Sequence, residues 1–351
     1  RKGLRGGTLY WDGQFDDAGL ALAMARTAVA HGAAVLNHVK VSGLLKEGGR
    51  VSGVVASDRF GAGEYRLKAR VVVNATGVFT DEIRSLDEPG AAPVVRPSQG
   101  IHLVLDRRFL GGETAVMIPK TEDGRVLFAI PWKTRVLLGT TDTEGVAASL
   151  HPRPLEEEID YLVRHAAGFL ETAPSHGDIR AVFAGLRPLV SPPKKAGAAG
   201  STASLSRSHC LFVSDTGLVT MTGGKWTTCR QMGQDAVDCA ARVGGLETRP
   251  CLTADLTLSG PAPVPEDSPL IDPDLPYRMA EVDRAVREDM AMTVDDVLSR
   301  RLRATFLDAA AAERCVPLME SIVESPEKQA SQLPQRLPTS HSASVVEPEG
   351  S

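Results

Sequence analysis

The sequence is short of cysteine, carries no excess of basic charge and has no long apolar run. Its five cysteines, at 210, 229, 239, 251 and 315, are odd in number, and no two stand in C-x2-C spacing. That argues against both a disulfide framework and a structural zinc site, and suits a reducing compartment. The formal net charge of -5 gives no basis for nucleic acid as a general partner, so any anion site must be local. No apolar run reaches the roughly 18 residues a spanning helix needs. There is no apolar signal segment, no internal repeat and no metal-ligand cluster. The G-x-G-x-x-G dinucleotide fingerprint is also missing from any strand–turn–helix context.

What is present is an ordinary globular composition, 42% hydrophobic and 24% charged, long enough for two or three domains. The stretch "DDAGLALAMARTAVAHGAAVL" predicts a helix capped by Asp16 or Asp17, ended by His31-Gly32 and followed by a strand. Strands follow around Gly48-Gly49. "EYRLKARVVVNATG" reads as one strand whose Val71, Val72 and Val73 suit burial on both sides. From 94 to 142, "IHLVLD", "AVMIP", "VLFAIPW" and "RVLLGTTD" predict a mainly antiparallel sheet. "PLEEEIDYLVRHAAGFL" predicts a helix with glutamates at its favourable end, and "IRAVFAGLRPLV" a strand and turn. Residues 191–204 have loop composition. "HCLFVSD" and "GLVTMTGG" resume the sheet, and "KWTTCRQMGQDAVDCAARVG" predicts a helix entered after the double glycine. Prolines mark a boundary near 250–272. A mainly helical region follows, with Thr293 and Asp296 spaced as a capping box. From about 325 the tail is polar and reads as disordered.

Three cations stand out by context: Arg187 in "FAGLRPLV", Arg207 in "SLSRSH", and Lys225 just after Gly223-Gly224 at a helix start. A cation gains nothing from the dipole at a helix start unless an anion sits there too. A small phosphorylated ligand is one coherent reading; solvated or ion-paired surface cations are the other. His102, at a strand start in "RPSQGIHLVLD", is a candidate for proton transfer or an ordinary structural histidine. Arg96 and Gln99 precede it and are placed to orient a ligand. "NATG" and "TGGKWTT" are small-residue turns after strands, where backbone can pass close to a flat cofactor.

Several of these stretches together resemble the flavin-dependent, respiratory glycerol-3-phosphate dehydrogenase family: "YWDGQFDDAGLALAMARTAVAHGAAVL", "VVVNATGVFTDEI", "VRPSQGIHLVLD", "LLGTTDTEG", "VFAGLRPLV", "LSRSH" and "TGGKWTTCRQMGQDAVD". "MAMTVDDVLSRRLRATFLDA" resembles that family's additional C-terminal domain. The likeness runs from about residue 8 to about residue 322. It implies an FAD enzyme that oxidises sn-glycerol 3-phosphate to dihydroxyacetone phosphate. Hydride passes from C2 to flavin N5, the C2 hydroxyl loses a proton, and a membrane quinone takes the electrons. By the same likeness Arg187, Arg207 and Lys225 are the substrate-side cations, and His102, Arg187 and Lys225 the catalytic candidates. Thr141, with Asp142, lines the pocket, while Ala75, Thr76, Gly77, Gly223, Gly224, Thr227 and Thr228 border the FAD.

The implied fold is α/β plus α+β. A partial FAD/NAD(P)-binding Rossmann-like domain (1–93 and 209–250) is interleaved with a substrate-binding antiparallel-sheet domain (94–208). A helical C-terminal domain (251–325) and the tail (326–351) follow. Two departures accompany the resemblance. The family's N-terminal Gly-rich segment is not in this sequence, and Gln99-Gly100-Ile101-His102 stands where many relatives have "KGSHIV". The resemblance further implies a cytoplasmic protein held peripherally on the inner face of the cell membrane, and admits a homodimer. An oxygen-using glycerol-3-phosphate oxidase, another flavoenzyme of the same architecture and a non-catalytic flavoprotein fragment stay open as rival readings. For "LSRRLRATFL", a basic helix packed on its own domain is weighed against a membrane-facing one.

Overall fold

The computed structural model describes residues 6–61, 63–118, 121, 124–190 and 208–323, and the backbone of 345–346. Helix α1 (Asp17–Ala30) begins where the Asp16 carboxylate accepts the Gly19 N–H at 2.9 Å, and ends at His31 before Gly32 turns left-handed at φ +88°. Strands β1 (Val39–Glu47) and β2 (Arg50–Asp58) form a hairpin through Gly48 and Gly49, both at positive φ, and β3 (Glu64–Lys68) adds antiparallel to β2. Two residues of the expected disordered tail, Val345–Val346, pair with β3; the rest of 326–351 lies outside the described residues.

The single strand predicted over "EYRLKARVVVNATG" is in fact two, β3 and the two-residue β4 (Val73–Asn74). Nor is the valine run buried on both sides, for Val73 is 39% exposed. The reason is position: β4 is the edge strand of the described three-stranded sheet, so only one neighbour covers it. Helix α2 (Thr80–Asp87) follows.

The antiparallel sheet comes next, as predicted. It comprises β5 (Val95–Asp106), β6 (Val116–Ile118), β7 (Leu127–Trp132), β8 (Arg135–Gly139), the short β9 (Thr143–Glu144) and, after helix α3 (Glu156–Phe169), β10 (Ile179–Val190). The order is β10-β5-β8-β7-β6, with β9 pairing β5. The predicted strand and turn at "IRAVFAGLRPLV" is one uninterrupted strand along β5, with Phe183 opposite His102 and Arg187 opposite Ser98. One sheet face is a core: Ile101, Leu103, Leu105 and Leu138, each at most 0% exposed, pack against Leu162 and Ala166 of α3. Period-2 alternation therefore puts Ser98, Gly100 and His102 on the other face. The loop expected at 191–204 lies outside the described residues.

Strand β11 (His209–Val213) pairs antiparallel with β12 (Val219–Gly223), and β12 runs parallel to β4 with Val219 opposite Val73. A 3-10 turn, Trp226–Thr228, leads into α4 (Cys229–Val243). The C-terminal region contains α5 (Met279–Arg287), a wide turn Asp296–Arg301, α6 (Ala304–Leu307) and α7 (Ala309–Ile322) around a separate core. The Thr293/Asp296 capping box is present: the Asp296 N–H donates to the Thr293 hydroxyl at 3.0 Å and the Thr293 N–H to the Asp296 carboxylate at 3.1 Å.

This helical region is fastened to the rest by polar contacts. Arg26 pairs with Asp289 and Arg303 with Asp16, while His38 Nε2 lies 2.7 Å from Asp296 and Arg135 2.9 Å from Asp308. Arg301 donates to the carbonyls of Asp289 and Met290. Two of the arginines of "LSRRLRATFL" are thus engaged with the protein itself, which favours the packed-helix reading of that stretch. No helix among the described residues is long and apolar enough to cross a membrane.

Candidate active site

The face of the antiparallel sheet opposite the core holds His102 and Arg187, and glycines on neighbouring strands give them room. His102 sits mid-strand in β5 between Phe183 of β10 and Gly139 of β8. Its ring stacks on Phe183, centroids 5.3 Å apart and planes 17° apart. A Cβ at Gly139 would fall 2.4 Å from His102 Cδ2, so glycine there makes the slot the imidazole occupies. Gly100 plays the same part for Arg187, since a Cβ there would lie 2.4 Å from its guanidinium. Gly185, opposite Gly100, is different: it is exposed and a Cβ would meet nothing within 4 Å, so the sheet surface is open between Phe183 and Arg187.

Arg187 is held from one side. It donates to the Thr140 hydroxyl and to the Thr141 carbonyl, each at 3.2 Å, and lies 3.5 Å from the Asp142 carboxylate, which in turn accepts from the Ser98 hydroxyl. Burial and the neighbouring Arg187 charge push the His102 pKa down to about 4. Both causes disfavour the imidazolium, so at neutral pH the ring is neutral and able to accept a proton.

Behind this wall lies Glu158, 3% exposed. It accepts from the hydroxyls of Thr141 (2.8 Å) and Thr143 (2.7 Å), from the Gln99 amide (2.8 Å) and from the Leu155 N–H (3.0 Å). Burial alone would raise its carboxyl pKa, but the donors from Thr143, Leu155, Gln99 and Thr141 outweigh that and hold it below the usual range.

The second region is the carboxyl end of the parallel pair β4 and β12. Asn74, 2% exposed, shapes the turn after β4: its amide donates to the Thr80 carbonyl at 3.0 Å and its oxygen accepts the Thr76 hydroxyl at 2.7 Å. Ala75 and Thr76 are exposed, and a Cβ at Gly77 would meet nothing within 4 Å. At the end of β12, Gly223 and Gly224 have φ of +73° and +77°. Their glycine requirement has a cause within the chain itself: a Cβ would come 2.7 Å from Val190 Cγ2 at Gly223 and 2.5 Å from Met232 Sδ at Gly224. Lys225, Thr227 and Thr228 follow, all exposed, and the Thr228 hydroxyl donates to the Lys225 carbonyl at 2.9 Å. Open backbone at the carboxyl ends of adjacent parallel strands is where α/β folds receive a dinucleotide. The exposed small residues there leave open backbone surface.

The structure therefore brings His102 and Arg187 side by side. Val190, at the end of β10, packs close to Gly223 at the start of the Lys225 turn. Arg207 lies outside the described residues. Two expectations change. Thr141, read as a substrate contact, is 1% exposed: its hydroxyl accepts the Ile101 N–H at 3.0 Å and donates to Glu158, so it faces inward and supports Arg187 through its carbonyl. Gln99, read as orienting a ligand, projects to the α3 face and reaches Glu158 and the Arg153 carbonyl. Glu158, Phe183, Gly100 and Gly139 escaped sequence reasoning. Only Glu158 left a trace, as an apparently ordinary acidic residue at a helix start.

Comparison with known proteins places the chain in a family. Residues 1–230 match the family model described as FAD dependent oxidoreductase, and residues 253–328 match the C-terminal domain of alpha-glycerophosphate oxidase. The chain is 36% identical to the probable mitochondrial glycerol-3-phosphate dehydrogenase of Caenorhabditis elegans, over 90% of this chain and 49% of that protein. It is 33% identical to the mitochondrial glycerol-3-phosphate dehydrogenase of Homo sapiens, over 90% of this chain and 50% of that protein. The chain thus spans about half the length of the curated relatives it matches. A crystal structure of the glycerol-3-phosphate dehydrogenase from Bacillus halodurans complexed with FAD superposes with a TM-score of 0.72 at 26% identity, covering 92% of this chain and 72% of that one. With a family model matched over well more than half its residues, the chain belongs to the FAD-dependent oxidoreductase family.

Proposed function

We propose that this chain carries the substrate side of an enzyme that oxidises sn-glycerol 3-phosphate to dihydroxyacetone phosphate and passes the electrons to a membrane quinone. The observation that carries the reading is the pairing of a neutral His102 with the Arg187 guanidinium on one open sheet face. An alcohol bearing a phosphate needs a proton acceptor at one end and a cation at the other. Relatives named glycerol-3-phosphate dehydrogenase supply the substrate identity.

FAD, when held in this site, would supply the two-electron oxidising chemistry the reaction needs. Ala75, Thr76, Gly77, Gly223, Gly224, Thr227 and Thr228 are the residues that would hold it. Neutral His102 accepts the C2 hydroxyl proton through a ring nitrogen. Arg187, Lys225 and Arg207 bind and orient the phosphorylated substrate. Phosphate binding beside Arg187 offsets the charge that depresses the His102 pKa, so the imidazole becomes a stronger base once substrate is in place.

Replacement of Arg187 by leucine tests the assignment. A lost charge-assisted contact of about 1.5–3 kcal/mol raises KM for glycerol 3-phosphate by about one to two orders of magnitude, and by up to about three where the phosphate is left buried and unpaired. An unchanged KM removes Arg187 from the substrate site. The acceptor is read from steady-state rates with a quinone analogue and with oxygen. The quinone reading expects turnover to depend on the analogue and puts the protein peripherally at the inner face of the cell membrane. The description of the C-terminal family model as part of an oxidase keeps oxygen as the second reading.

A further inference from the structure

His102 is fixed by packing. Among the described residues its ring nitrogens have no hydrogen-bond partner in the protein, and its neighbours are the Gly139 slot on one side and the Phe183 ring on the other. Phe183 is itself held from behind. Its ring centroid lies 5.2 Å from that of Phe306 at 42°, and 6.5 Å from that of Trp132 at 54°. Trp132 packs onto the C-terminal core, and Phe306 stands in α6 between two residues of α6 that are buried in that core, Ala304 and Leu307. Within that four-residue helix Ala304 and Leu307 are wholly buried in the helical core, while Phe306 is only partly buried and turns toward β10. The helix opens at Arg303, in left-handed backbone at φ +63°, whose guanidinium pairs with Asp16 at the cap of α1. Both the aim of the helix and the direction of its aromatic ring are thus set by contacts across the seam between the two parts of the chain.

We propose that Phe306 is a positioning residue for His102: by bracing Phe183, the ring on which the imidazole stacks, it makes the seating of the C-terminal helical domain a determinant of proton transfer at the site. This rests on the reading of His102 as proton acceptor. Aromatic pairs at 4.5–7 Å hold preferred relative orientations, so a chain of three stacked or tilted rings transmits position where no hydrogen bond does. A reacting group displaced by about 1 Å loses rate on the order of a hundredfold. Binding is governed by the cations instead, so the effect falls on turnover and spares affinity.

The test uses the FAD-loaded enzyme with Phe306→Ala, Phe306→Leu and Phe306→Tyr. It reads kcat and KM for glycerol 3-phosphate, and the His102 ring titration by NMR in the absence of substrate, assigned by comparison with His102→Gln. The alanine variant is expected to lose kcat by about tenfold or more with KM within about twofold, as misplacement of a reacting group predicts. Its His102 pKa is expected to rise from about 4 toward the ordinary value as water reaches the ring. Leucine gives a smaller shift in the same direction, and tyrosine, which keeps the ring, restores both readings. If the alanine variant fails to fold, the leucine variant carries the test. A variant that folds and leaves kcat and the His102 titration as in the parent overturns the proposal. If His102→Gln retains kcat while the Phe306 variants still shift the His102 titration, the positioning stands and the proton-acceptor reading falls.

Discussion

Glu158 receives four donors, touches no expected ligand, and fixes the segment that holds Arg187. Its replacement by glutamine puts an amide N–H₂ where donors converge. We expect a loss of stability on the order of 2 kcal/mol, the cost of leaving buried donors unpaired, read as a lower urea midpoint. KM for glycerol 3-phosphate should rise with it, because the Thr141 carbonyl no longer sits where Arg187 needs it. The pH dependence has a definite sign. The Glu158 carboxyl is held below its ordinary pKa, so its contribution is present above the unfolded value and is lost as pH falls through the folded one. The glutamine variant should therefore show a flatter decline of stability in acid than the parent; an equally steep decline would count against the four-donor account. His102 acts in the same direction, in a higher pH window. Its folded pKa of about 4 lies below the unfolded value near 6.5, so acidification through that window costs stability as the unfolded state takes up the proton. Addition of glycerol 3-phosphate should raise the His102 pKa seen by NMR, and a titration indifferent to the ligand would separate His102 from the phosphate.

Among the elements, α1 and α3 were legible in the sequence because their signals are local, while of β5 only the half from Ile101 was read as strand and β10 was expected to break into a turn that it does not make. Asp16 caps α1 as its position suggests, glutamates lead α3, and Thr293 with Asp296 forms the expected reciprocal cap. The valine run at 71–73 misled for a physical reason: apolar composition reports a preference for burial, whereas β4 takes its exposure from its place at the sheet edge. The site was half legible. Cations and a histidine among apolar residues stand out, but Phe183 meeting Phe306, or Gly139 giving room to His102, arises from residues far apart in the chain and leaves no periodic trace. The double glycine ending β12 provides an element-scale prediction. Gly224→Ala must adopt φ +77° and meet Met232 at 2.5 Å. The left-handed backbone alone costs about 1–2 kcal/mol, and the displaced Lys225 turn should weaken FAD retention, measured by flavin fluorescence on dilution. Full retention would move that turn away from the cofactor.

At the scale of the molecule, the helical C-terminal region has its own core yet is tied to the rest through Arg26–Asp289, His38–Asp296, Arg303–Asp16 and Arg135–Asp308. Asp289 and Asp296 are nearly buried, so separating the two parts would strand charges in apolar surroundings, a far larger cost than parting a surface pair. We expect one cooperative thermal transition by calorimetry; two well-separated transitions would show that the seam is weak. Arg26→Ala, which leaves Asp289 short of a partner, should lower that single transition by several degrees without splitting it.

Gly185 offers a graded probe of the proposed substrate site. Because a Cβ there meets no atom of the described residues within 4 Å, alanine, valine and leucine at this position build a progressively longer obstruction from an open start. Affinity for glycerol 3-phosphate that declines stepwise along the series, with thermal midpoints unchanged, would measure in carbon atoms how near the bound molecule comes to the sheet.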